Sequence, residues 1–220
     1  MALQKIWQSL ALGVALCLIS LPVAAQIVAG KDYHVLKQPQ PTAGGKNVEV
    51  VEFFYYGCPH CYNLQAPLES WLKRKPADVE FRRQPTVFDD AQLPLTRVYY
   101  ALESMKLTDR LHQEVFAAIH AQNQRLNNTK VLFDWIAAKG VDRQRFADTY
   151  NSFGVTTRAS SAKDVTRRFD ISGTPTIVVD GRYLTAPSLT LKGNNEVDFV
   201  RYFQVLDQVV ALARKNRGAK

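Results

Sequence analysis

The nine residues VEVVEFFYY at positions 48 to 56 run straight into Gly57 and then into Cys58-Pro59-His60-Cys61. Their β-branched and aromatic content, almost without a polar break, is the pattern of a strand covered on both faces. Residues 59 to 75 then place Cys61, Leu64, Leu68 and Leu72 at helical spacing, with Pro59 in a first-turn position and Pro67 expected to kink the helix. Residues 79 to 84 (VEFRRQ) alternate as a second strand. Strand, turn, helix and strand in that order open a βαβ unit, so the chain reads as α/β.

Residues 92 to 168 carry patterns for four or five helices and no convincing strand, with Pro94 near one start, Thr108 and Thr129 as expected caps, and Gly140 and Gly154 as expected stops. The β pattern resumes at 176 to 179 (TIVV), turns through Asp180-Gly181, and continues at 182 to 185. A last helix is expected from about 196 to 215, with Val197, Val200, Phe203, Val210 and Ala213 on one face. The organisation that follows is a first part at 26–91, an inserted helical domain at 92–168 and a second part at 169–220.

Residues 1 to 25 hold one charged side chain, Lys5, then an apolar run at 10 to 21, then Pro22, Val23, Ala24 and Ala25. This is the order of a cleavable secretory signal, expected to be cut after Ala25. Twelve residues are too few for a membrane span, which needs about 20. Leu16 before Cys17 argues against lipidation, because a small residue is expected there. Cleavage removes Cys17 and leaves Cys58 and Cys61, which are expected to pair in an oxidising compartment. The formal charge of +8 becomes +7 when Lys5 is lost, and the basic residues are scattered. An exported chain without an aromatic-basic motif is not expected to bind nucleic acid. The basic surface reads as a solvated face.

The chemistry lies where the buried strand ends and the helix begins. Cys58 is placed at the helix N-terminus, where unpaired N–H groups and the macrodipole favour an anion. Its pKa is therefore expected to fall below that of a free thiol. His60 can donate to the thiolate or, protonated, add positive charge beside it. Cys61, one turn on, suits the resolving role. Each unit of pKa depression stabilises the dithiol form by about 1.4 kcal/mol, which raises the potential of a two-electron couple by about 30 mV. A shift of several units turns a reductant into an oxidant. A zinc site would need two further ligands, while His34, His112 and His120 lie far apart in sequence, so no metal is expected. A structural crosslink across so short a loop would stabilise little.

A second feature is Gly173-Thr174-Pro175-Thr176 directly before a strand. Proline belongs at such a first position, and a cis bond at Thr174–Pro175 would present the Thr174 backbone to a client chain beside the cysteines. Phe53 and Phe54 are expected in the core, with Tyr55 and Tyr56 as groove candidates. Trp71 and Trp135 read as helix packing, and His112 and His120 as surface or core residues.

From 48 through the last helix the chain resembles the DsbA family of thioredoxin-fold proteins, most specifically in EFFYYGCPHCY with its Pro-His dipeptide. The resemblance implies a thioredoxin fold with an inserted helical domain and a redox-active Cys58–Cys61 disulfide in place of any bound cofactor. It also implies a periplasmic dithiol oxidase acting on folding exported proteins with free cysteines, reoxidised by a quinone-linked membrane partner of the DsbB type. The site residues carried over are Cys58, Pro59, His60, Cys61, Thr174, Pro175 and Glu52. The family's acid below the active site falls on Glu52, six residues before Cys58, which the resemblance implies is a proton acceptor for Cys61, an edge-facing solvated carboxylate being the alternative.

Two departures stand out. Arg83 or Arg82 occupies the place of the family's lysine partner to that acid, keeping the charge but losing a group that can release a proton. Thr174 replaces the valine of the best-known members. Isomerases of this fold carry a dimerisation domain ahead of the thioredoxin unit, and only 32 residues separate Gln26 from Cys58, which argues for a monomeric oxidase. A reductase or isomerase, and a redox-inactive chaperone, are the alternatives.

Overall fold

The computed structural model describes residues 26 to 217, so the expected signal peptide at 1 to 25, with Cys17, lies outside the described residues. Five strands form one mixed sheet in the order β1-β5-β4-β2-β3, built from β1 His34–Val35, β2 Val48–Phe54, β3 Val79–Pro85, β4 Thr176–Val179 and β5 Tyr183–Thr185. β2 is buried along its whole length, runs parallel to β3 and antiparallel to β4, and occupies the interior of the sheet, as its unbroken apolar run requires. Strand period assigns its side chains to two layers. Val48 and Val50 pack with Leu64, Leu68 and Trp71 of α1 (Pro59–Arg74) and with Tyr202, Leu206 and Val209 of the terminal helix, while Val51 and Phe53 pack with Phe169 and Ile171 on the opposite face. The same alternation places Glu52 in the layer under α1. This is the thioredoxin fold.

Five helices stand between β3 and β4: α2 Leu93–Ser104, α3 Thr108–His120, α4 Thr129–Ala138, α5 Arg143–Asn151 and α6 Phe153–Arg168. They enclose their own apolar core, which reaches back to the sheet through Phe54, Tyr56 and Cys61.

Several local expectations change. β2 ends at Phe54 and frees Tyr55 and Tyr56 for the active-site turn. Thr108 is the first helical residue of α3 behind Leu107, which offers no side-chain cap, and Thr129 follows the true cap Asn128, whose side chain accepts the Val131 N–H. Gly140 does end a helix, with φ +72, but Gly154 is inside α6, whose N-cap is Ser152. The terminal helix α7 spans Phe199–Arg217, so Val197 precedes it, and Val200 is 74% exposed while Tyr202, Phe203, Leu206 and Val209 face the core. Pro67 removes one ladder donor from α1 without ending it.

The β4–β5 hairpin turns through Asp180 (φ +55) and Gly181 (φ +61), both left-handed, as a tight hairpin requires. A Cβ at Gly181 would meet the Gln40 carbonyl oxygen at 2.1 Å. Gly181→Ala is therefore expected to lower the unfolding free energy by about 2 kcal/mol, read from the denaturant midpoint. An unchanged midpoint would contradict this packing.

Candidate active site

The active-site turn is residues 55 to 58, between the end of β2 and the start of α1. The Cys58 N–H donates to the Tyr55 carbonyl at 3.0 Å, and the Cys58 carbonyl accepts the first helical N–H, that of Tyr62. A Cβ at Gly57 would lie 2.5 Å from the Tyr55 ring, which would have to move aside. Cys58 is the N-cap of α1, with Pro59 following it in the first turn, as the sequence indicates. Both cysteines are free thiols in this structure, Cys58 half-buried and Cys61 fully buried.

The two sulfurs are opposed in acidity. A hydrogen bond from the Cys61 thiol is the largest influence on Cys58; with donors from Thr174 and the backbone N–H groups of His60 and Cys61 it outweighs desolvation and lowers the Cys58 pKa to about 5. Thr174 acts in two senses, because its carbonyl, 3.3 Å from the Cys58 sulfur, accepts from the protonated thiol, whereas its hydroxyl donates to the thiolate. Cys61 goes the other way: burial, and then its bond to Cys58, push its pKa well up. One proton is thus kept on the inner sulfur while the outer one is charged.

His60 contributes differently from expectation. Its imidazole is exposed, and what reaches the sulfur is its backbone N–H. The Thr174–Pro175 bond is cis, and Pro175 precedes β4, with the loop held by the Thr176 hydroxyl donating to the Gly173 carbonyl at 2.8 Å. An open cavity of about 850 Å³ extends from this point, lined by His60, Thr174, Pro175, Pro187, Leu191 and Phe199 among others. The groove therefore comes mainly from residues 172 to 199, with His34, His60 and Asn63, and not from the aromatic run, where Phe53, Phe54 and Tyr56 are core and only Tyr55 is half-buried.

Glu52 is wholly buried beneath α1. Burial raises its pKa, opposed by Arg83, whose Nε donates to one carboxylate oxygen at 3.0 Å, and by Gln65, whose Nε2 donates to the other at 3.0 Å. The second Gln65 N–H goes to the Cys61 carbonyl at 3.0 Å, so one amide ties the acid to the resolving cysteine. Arg83 also binds Glu69 at 3.0 Å, whereas Arg82 pairs with Glu49, which resolves which arginine replaces the lysine. Gln65 was missed from sequence. Its signal was available, since it stands one helical turn after Cys61, but a helical glutamine reads as a surface residue until the strand beneath it is known. Among the described residues no group of three or more His, Cys, Asp or Glu converges as a metal site.

A thioredoxin fold that presents a charged N-cap cysteine and a protonated partner one turn on, beside a cis-proline, is that of a thiol:disulfide oxidoreductase. Residues 49 to 203 match the family model described as a DSBA-like thioredoxin domain, and the chain belongs to that family. The thiol:disulfide interchange protein DsbA of Burkholderia cepacia is 38% identical over 182 residues, covering 82% of this chain and 85% of that one. The protein of the same name from Bordetella pertussis is 36% identical, covering 87% and 89%. The crystal structure of Pseudomonas aeruginosa DsbA superposes with a TM-score of 0.76 at 34% identity, covering 88% of this chain and 96% of that one.

Because the Cys61 thiol is the chief donor to Cys58, Cys61→Ala is expected to raise the Cys58 titration midpoint by about one unit or more, whereas Cys61→Ser, which keeps a donor, raises it less. Thiolate absorbance in each variant measures this, and equal midpoints for both would remove the hydrogen bond from the explanation.

Proposed function

We propose that the chain is a periplasmic dithiol oxidase, donating a Cys58–Cys61 disulfide to exported proteins that fold with free cysteines. The names of its relatives and the chemistry of the site support this reading, and the low pKa of Cys58 carries it. Holding Cys58 as a thiolate stabilises the dithiol form, which makes the disulfide form the better electron acceptor.

In the proposed cycle a client thiolate attacks the Cys58 sulfur, a client–Cys58 bond forms, the Cys58–Cys61 bond breaks, and Cys61 leaves and takes up a proton. A second client thiolate then attacks the client sulfur of the mixed disulfide, and Cys58 departs as the stable thiolate. The client loses two electrons and the cysteine pair gains them. Glu52 is the group that hands the proton to Cys61 and takes it back when the pair is reoxidised. Arg83 and Gln65 hold it ready to release that proton. Thr174 offers its backbone to an extended client, and the groove beyond Pro175 seats the client's apolar side chains. A quinone-linked membrane protein of the DsbB type is proposed to reoxidise the pair. The protein is proposed to work as a monomer after export. Among the described residues no helix is long and apolar enough to cross a membrane.

Oxidation of a reduced two-cysteine peptide tests the reading. The oxidised protein is expected to convert it stoichiometrically, and Cys58→Ser to be inert. Equal behaviour of the two proteins would leave a scaffold without redox function, and reduction of a disulfide peptide in preference to oxidation of the dithiol would make the protein a reductase.

Stability carries a second expectation. The folded Cys58 pKa of about 5 lies below the unfolded value of about 8.5. Its contribution to the dithiol fold is therefore complete above about 8.5, declines as pH falls through this window, and vanishes below about 5. The disulfide form has no such group, and its short loop adds little. The dithiol form should melt higher at pH 7, with the gap narrowing towards pH 5. A disulfide form of equal or higher melting temperature at pH 7 contradicts the proposal.

A further inference from the structure

Tyr56 stands two residues before Cys58 and is buried to 1% exposure. One stripe of α3, at spacing i, i+4 and i+8, touches it along its whole length. His112 Nδ1 lies 2.8 Å from the Tyr56 hydroxyl. Phe116 packs edge-on against the Tyr56 ring with centroids 4.9 Å apart. His120 Nε2 lies 2.8 Å from the Tyr56 carbonyl oxygen, and since a carbonyl only accepts, that nitrogen carries the proton and donates.

The direction of the first bond follows from counting donors. His112 is buried, and its Nε2 has no hydrogen-bond partner. If Tyr56 donates to Nδ1, one group is orphaned, the Nε2–H. The opposite arrangement orphans both the tyrosine proton and the Nε2 lone pair. Tyr56 is therefore the donor, and burial, which holds His112 neutral, keeps Nδ1 free to accept.

The carbonyl held by His120 belongs to the Tyr56–Gly57 peptide, the plane immediately before the peptide that supplies the Cys58 N–H. Gly57 has no side chain to hold that plane. His120 also stacks on Tyr62, the residue after Cys61, with ring centroids 5.2 Å apart and an interplanar angle of 17°. The same imidazole therefore grips both flanks of the cysteine motif.

We propose that α3 of the helical insert positions the reactive cysteine, with His120 and His112 as positioning residues that fix Tyr56 and, through it, the turn presenting Cys58 to the α1 N-terminus and to Thr174. This inference rests on the reading of Cys58 as a thiolate. It gives the insert a part in setting thiol acidity, beyond covering the site. Releasing the Tyr56 carbonyl lets the Tyr56–Gly57 peptide rotate, and the Cys58 sulfur then loses alignment with the donors that stabilise its charge.

The test compares His120→Leu, which loses the donor, with His120→Gln, which keeps an N–H at the corresponding reach, in the full dithiol protein. Thiolate absorbance and the equilibrium with glutathione are read in each. His120→Leu is expected to raise the Cys58 midpoint by about one unit, a tenfold shift in the thiol–thiolate ratio, and to make the protein a correspondingly weaker oxidant. His120→Gln should restore most of both. Phe146→Leu, in the insert core where Phe146 packs on Phe133 and Tyr150, serves as the control for destabilisation alone and should leave the midpoint in place. If His120→Leu does not fold, Tyr56→Phe removes only the hydroxyl and is expected to move the midpoint in the same direction. A wild-type midpoint near 5 with no movement in the variant overturns the proposal, as does an equal movement in Phe146→Leu. A wild-type protein that titrates like a free thiol instead defeats the oxidase reading itself.

Discussion

The hydrogen bond between the two thiols at the open end of α1 divides one proton unequally, and the surrounding structure deepens that inequality. Cys58 is half-exposed at the N-cap, where the backbone N–H groups of His60 and Cys61 favour its charge, while Cys61 is enclosed one turn further in. Desolvation penalises a charge on either sulfur; the donors around Cys58 outweigh it, whereas the one from the Tyr55 backbone at Cys61 does not. The buried strand β2 is what makes this arrangement rigid. It ends in an aromatic run that fills the insert core, so the turn behind it cannot drift without exposing Phe54 and Tyr56.

Beneath the sulfurs, the alternation of β2 delivers a second buried charge. Glu52 has no solvent to stabilise it and depends on Arg83 and Gln65. Breaking such a pair by removing one partner is far costlier than the pair's own net worth. Burial raises the Glu52 pKa, and the Arg83 charge and the Gln65 amide oppose that rise. Arginine in place of an amine gives Glu52 a partner that keeps its charge at any ordinary pH.

Much of this was legible in the sequence because the decisive signals are local. A strand with almost no polar break, a CxxC at its end, a proline opening the helix and an Asp-Gly hairpin each report their own backbone geometry, whereas Glu52 was singled out only by the resemblance to the family. What escaped detection depends on tertiary contact. The groove is assembled mainly from residues 172 to 199 with His34, His60 and Asn63, and nothing in the sequence joins these segments before the fold is known. Gln65 and the α3 histidines acquire meaning only when α1 lies over β2 and α3 lies against Tyr56. Helix boundaries slipped where a threonine beside the true cap carried the same propensity, and Val200 was misplaced because α7 begins three residues later than its apolar pattern indicated.

Titration of the wild-type dithiol protein by absorbance near 240 nm addresses the central claim most directly, since it counts thiolate in the folded molecule. The structure requires one sulfur to ionise with a midpoint near 5, with the second silent well into the alkaline range. Two sulfurs ionising together above pH 8 would contradict the account.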